Sequence, residues 1–141
     1  VGKPFPEGSS YSRELYRRSK ELPIQWDIDL AEDAVAGLLA RSGIAYMPFP
    51  DGASGRRTSL LALLANGVAT ITTRGTHTPD ALERSVQFAN NPEEALRLAE
   101  KIKAEKDFRM RLSDNGRAYA ETFSWEAIAA SHIKLYESLI T

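Results

Sequence analysis

Arg56 and Arg57 stand side by side at the end of a Gly/Ser turn, within the stretch PFPDGASGRRTSLLALLANG at residues 48–67. Gly52, Ser54 and Gly55 ahead of them permit tight turns and let a ligand approach backbone N–H groups closely. Thr58 and Ser59 behind them carry hydroxyls and open a helical pattern. The first N–H groups of a helix lack partners within it and bear partial positive charge. Two guanidinium groups add bidentate geometry suited to phosphate oxygens. Such a combination can hold a phosphate or diphosphate at a helix N-terminus. The same residues also make an ordinary solvated turn, and their types alone leave both readings open. Asp51 either orients a hydroxyl or an arginine, or caps the turn.

A second polar loop, TRGTHTPD at residues 73–80, offers Gly75, Thr76, Thr78 and Pro79 to the same cleft if the two loops share one edge of a sheet. His77 reads as an exposed loop residue rather than a base, and His132 lies within a helical stretch where packing or solvent accounts for it. The two histidines are too far apart in sequence for a local metal pair, and the absence of cysteine excludes thiolate ligands and disulfides. No metal or organic cofactor is expected. Trp26 reads as a core residue rather than a base-stacking platform.

The elements that must position these residues alternate between strand-like and helical patterns. Strand candidates are Val1 to Lys3, Pro23 to Trp26 (PIQW), Ile44 to Phe49 (IAYMPF, read as buried), Val68 to Thr73 (VATITT) and Ser85 to Asn90 (SVQFAN). Tyr11 to Leu22 is helix-like and closed by Pro23. Asp29-x-x-Glu32 resembles a capping box ahead of a half-buried stripe of Leu30, Ala34 and Leu38 with Ala31, Val35 and Leu39. Thr58 to Asn66 is apolar nearly all round, which predicts deep burial, with Gly67 as its C′ residue. Asn91-Pro92-Glu93-Glu94 starts a helix with a cap, a proline at its first position and acids in its first turn. From about residue 92 onward the chain is helical, with a break expected near Ser113 to Gly116 and a restart at Ser124. Strands separated by helices of this length predict an α/β class with a Rossmann-like parallel sheet and flanking helices, in a single domain over residues 1–141. Open parallel sheets bind ligands at the carboxyl ends of their strands, where both polar loops fall.

Composition narrows the function classes. At 141 residues, 43% hydrophobic and 26% charged, the chain is that of an ordinary globular domain able to bury a core. A formal net charge of −1 disfavours a general nucleic-acid binder, whose phosphate contacts need a basic excess. No apolar run reaches the roughly 20 residues of a spanning helix, and the expected compartment is the cytoplasm. A dinucleotide-dependent dehydrogenase is disfavoured because no G-x-G-x-x-G follows a strand.

The stretch DIDLAEDAVAGLLARSGIAYMPFPDGASGRRTSLLALLANGVATITTRG, with the NPEEALRLAEKI helix and FSWEAIAASHIKLYESL after it, resembles the C-terminal, donor-binding domain of GT-B glycosyltransferases. Their family 4, which uses nucleotide sugars, is the branch it is most similar to. The resemblance runs from about residue 27 to the end; FSWE and the PF-DG-S-RR-S pattern are its most specific parts. It implies that Arg56, Arg57, Thr58 and Ser59 lie on the phosphate side of a nucleotide-diphosphate sugar, with Asp51, Gly52 and Ser54 also among the substrate-binding residues. It puts Gly75 to Pro79, and so Thr78, near the transferred sugar, and Trp26 to Ile28 near the base. The family's pair of glutamates eight residues apart is not present. Asp51 stands at the first position, and the second falls on Ser59 or, aligned on Gly67, on Ala62. No catalytic residue is carried over.

The resemblance also implies a missing N-terminal domain and a missing first βα unit, and the opening VGKPF reads like the end of a buried strand. Sheet edges left unpaired in that way could be covered by a second copy of the chain. The functional expectation is the donor-binding half of a glycosyltransferase. Its alternative is a glycosyltransferase-like binding or assembly module without catalysis.

Overall fold

The computed structural model describes residues 9–140. The strand candidate Val1 to Lys3 lies outside them. The chain divides into two compact units, one up to Leu38 and one from Leu39 onward.

In the first unit, α1 spans Ser10–Ser19, capped by Ser9, whose hydroxyl accepts from the Ser12 N–H at 3.1 Å. Glu14 receives both Arg17 and Arg18 one turn on, and these two cations hold its carboxyl down at about 2. The expected strand at Pro23 to Trp26 does not form. Pro23 has no N–H to give a ladder, and the Ile24 N–H turns back to the Leu22 carbonyl at 2.7 Å. Trp26 is 40% exposed rather than core. Its ring tilts against Tyr16 at 4.8 Å between centroids, and its Nε1 donates to the Ser19 hydroxyl. The capping box at Asp29 is also not made. Asp29 sits in the left-handed region at φ 54°, whereas an N-cap residue is extended. Helix α2 starts later, over Glu32–Arg41, with Glu32 and Asp33 in its first turn. No residue of α2 is buried; Val35, Leu38 and Leu39 form its half-buried stripe.

In the second unit, β1 (Ile44–Met47), β2 (Ala69–Thr72) and β3 (Val86–Phe88) form a parallel sheet in the order β1-β2-β3. Ile44 pairs with Ala69, and Thr70 with Val86. Helix α3 (Thr58–Ala65) connects the first pair, and a 3-10 turn over Asp80–Arg84 connects the second. Central β2 is buried at every position, as a strand covered on both faces must be. Among the described residues β1 is a sheet edge and only half-buried, with Tyr46 44% exposed, so the burial expected of this strand is not found; the fully buried strand is β2, which the sequence predicts only as a strand.

Two apolar clusters make the core. Leu60, Leu64, Leu82, Val86 and Tyr119 gather around α3. Ala69, Ile71, Ala95, Ile102 and Leu112 gather around α4, which spans Pro92–Ala104. Asn91 caps α4 as its sequence predicts, its side chain accepting from the Glu94 N–H at 2.8 Å. The expected break near Ser113 to Gly116 is absent. Helix α5 runs unbroken over Lys106–Glu121, and the break falls earlier, at Glu105. Gly116 is in that helix because it packs on α3: a Cβ there would meet Leu64 Cδ2 at 3.1 Å. Gly67 ends α3 with φ 69°, its N–H on the Leu64 carbonyl and the Val68 N–H on the Leu63 carbonyl. Ser124 restarts the chain as expected, accepting from the Ala127 N–H ahead of α6 (Trp125–Ile140).

Truncating Leu64 to Ala leaves a void under α5 and is expected to cost about 2–5 kcal/mol. Gly116→Val overpacks the same contact and should cost about 1–3 kcal/mol. Urea denaturation of both variants measures the two effects.

Glu94 gives a pH-dependent prediction. Its carboxylate accepts from the Asn90 N–H and from Asn90 Nδ2, which hold it below the ordinary range. A depressed carboxyl contributes fully above its unfolded-state value and loses that contribution as pH falls through its folded one. The stability gap between the native chain and Glu94→Gln is therefore widest near neutral pH and closes as the pH falls below the ordinary glutamate range.

Candidate functional site

The loops leaving β1 and β2 meet at two glycines. Gly52 has φ 89° and is buried; a Cβ on it would fall 2.2 Å from the Gly75 nitrogen. A Cβ on Gly75 would fall 2.0 Å from the Asp51 carbonyl oxygen. No side chain fits at either position, so the two backbones touch. The contact is fastened by the Ala53 N–H on the Thr73 carbonyl at 2.9 Å and the Phe49 N–H on the Thr73 hydroxyl at 2.8 Å. Thr78 completes it: its hydroxyl accepts from the Gly75 N–H at 2.9 Å and donates to the Ala53 carbonyl at 2.7 Å.

This crossing sets one wall of an open cleft of about 710 Å³, lined by Asp51, Gly52, Ser54, Gly55, Arg56, Arg57, His77, Pro79 and Phe123. Of the residues expected at a ligand, the cleft gathers Asp51, Gly52, Ser54, Arg56 and Arg57. Thr58 and Ser59 do not line it; they are exposed on the first turn of α3. Gly75 and Thr78 do not line it either, and the Thr78 hydroxyl is already used in both directions. Of the second loop, Pro79 lines the cleft, together with His77, which reads from the sequence as a plain exposed loop residue. Phe123, from the α5–α6 junction, lines it without being singled out in the sequence.

The two arginines differ. Arg57 is held at its head by the Asp51 carboxylate and lies over the Phe49 ring at 4.7 Å to the centroid. Arg56 is exposed and has no ion-pair partner among the described residues. Arg57 is also the N-cap residue of α3, extended at φ −84° and ψ 91°, and its side chain does not cap the helix. The first N–H groups of α3 therefore lack a side-chain acceptor, next to one engaged and one open guanidinium. Among the described residues Asp51 is the only carboxylate lining the cleft. Among the described residues no group of three or more His, Asp or Glu side chains is arranged to hold a metal ion, and no helix is long and apolar enough to cross a membrane.

No protein-family model matches the chain, and no curated protein matches it. Among solved structures it is similar to a sucrose-phosphate synthase from Thermosynechococcus elongatus, with a TM-score of 0.74 and 18% identity over 98% of this chain. The fold is a Rossmann-like parallel sheet with flanking helices, shared with part of that synthase. The chain spans 37% of the length of that synthase. At this identity the likeness concerns architecture: the parallel sheet, its flanking helices and the loops at the strand ends.

The glycine crossing makes a direct prediction. Gly52→Ala puts a Cβ into the Gly75 backbone in a left-handed conformation, which alone costs about 1–2 kcal/mol. Thr78→Val, of similar shape, strands the Gly75 N–H and the Ala53 carbonyl and should cost about 1–2 kcal/mol. Thermal or urea unfolding checks both, and a crystal structure of Thr78→Val should show the second loop displaced.

Proposed function

We propose that this chain binds the diphosphate of a nucleotide-diphosphate sugar, as the donor-binding part of a glycosyltransferase similar to family 4. The observation that carries the reading is the gathering of Arg56 and Arg57, the latter the N-cap residue of a helix without a side-chain cap, in one cleft at the carboxyl ends of parallel strands. In a transfer reaction the bond between the sugar's anomeric carbon and the diphosphate oxygen breaks, and negative charge grows on the leaving diphosphate. N–H donors and guanidinium groups fixed beforehand stabilise that charge without reorganising. The acceptor and the group that takes its proton belong, in this proposal, to a further domain facing the cleft. The likeness to a synthase of greater length supports that arrangement.

A second reading is a glycosyltransferase-like binding or assembly module without catalysis. It is favoured by the cleft's single carboxylate, Asp51, being already paired with Arg57. β1, half-buried and at the edge of the sheet among the described residues, offers such a module a surface for a second copy of the chain.

Titration of the chain with UDP, GDP and ADP at low salt separates these readings from a plain surface turn. Saturable binding is expected, preferring one base, and Arg56→Ala/Arg57→Ala should weaken it by about 1.5–3 kcal/mol per lost charged hydrogen bond. Absence of binding by the folded chain would contradict the donor reading.

A further inference from the structure

The cleft has two kinds of lining. Arg56 and Arg57 are charged, whereas Phe123 and Pro79 are apolar. Phe123 does not belong to the core. It is 37% exposed at the junction of α5 and α6, yet its position is fixed. Its ring tilts against Tyr119 at 5.2 Å between centroids, and Tyr119 is itself part of the core around α3. Its edge lies on Gly55, where a Cβ would fall 2.7 Å from the ring Cζ. A side chain at 55 would push the ring from its place, so Gly55 and Tyr119 together hold an aromatic surface at the cleft. An exposed aromatic ring held on two sides is costly to leave against water and is suited to an apolar face of a ligand.

We propose that Phe123 is a specificity-determining residue that seats a pyranose ring, the ring's C–H face lying on the phenyl group. This rests on the donor reading above: with the diphosphate on the arginines, a group attached to it lies on Phe123 in the same cleft. A sugar fits this ring better than a nucleobase. Its C–H face is apolar while its hydroxyls project around the edge, and the same cleft is lined by Asp51 and His77, which can meet hydroxyls. A base would call for edge-reading donors and acceptors around the aromatic surface.

The test compares a nucleoside diphosphate with the corresponding nucleotide hexose, using the base selected in the titration. Phe123→Leu keeps apolar volume over Gly55 but removes the flat face. It is expected to weaken the nucleotide hexose about 3- to 10-fold, the size of one aromatic contact, while leaving the nucleoside diphosphate within about 2-fold. Phe123→Trp should restore the hexose affinity. Proton NMR of the hexose bound to the native chain gives a reading that no variant's folding can spoil. The sugar C–H resonances should move upfield in the ring current, and the base protons should not. Equal weakening of both ligands in Phe123→Leu, or upfield shifts on the base instead of the sugar, overturns the proposal and leaves the donor reading standing. Failure of the native chain to bind either ligand removes both.

Discussion

Everything at the candidate site depends on two backbones touching where Gly52 meets Gly75. A parallel sheet places the ends of β1 and β2 side by side but leaves the loops beyond them free to diverge. The glycine contact, with Thr78 tying the Gly75 N–H to the Ala53 carbonyl, turns two independent loops into one wall. From that wall Arg57 inherits its place between Asp51 and Phe49, and His77 and Pro79 are brought to the same cleft as Arg56. Backbone contacts of this kind stabilise modestly but fix geometry closely, which is what a binding site needs.

The electrostatics follow from the same arrangement. Asp51 neutralises part of the charge of Arg57 and orients it, so the cleft presents one pre-positioned guanidinium and one free one. An incoming anion competes with Asp51 for Arg57, and the ion pair therefore tempers affinity while preserving alignment. Both side chains of the pair keep contact with solvent, 33% and 72% exposed, so the pair itself adds little to folding.

Much of the fold was legible because its signals are local. Asn91-Pro92, Gly67 and Ser124 each mark a helix end by chemistry completed within a few residues, and each does so in the structure. The β-branched run of β2 was equally readable as a strand, though not its full burial. Local backbone features overrode two patterns: PIQW has strand-forming residues but no ladder, and Asp29 takes a left-handed conformation instead of capping. Elsewhere a neighbour distant in sequence decides. Gly116 looks like a helix breaker until Leu64 is seen packed against it. The arginine loop was visible as a motif. The use of the Thr78 hydroxyl was not, because its partner carbonyl lies 25 residues away, and Phe123 reaches the cleft only through the packing of α5 on α3.

The central claim is that the loop wall and the start of α3 receive an anion together. Its most direct measurement is an amide chemical-shift titration of the isotope-labelled chain with the nucleoside diphosphate that binds best. The account predicts that the largest shifts fall on the backbone N–H groups of Gly55 to Ser59, with Gly52 and Gly75 moving in concert because their backbones touch. Shifts confined to arginine side chains, or centred away from both loops, would contradict it.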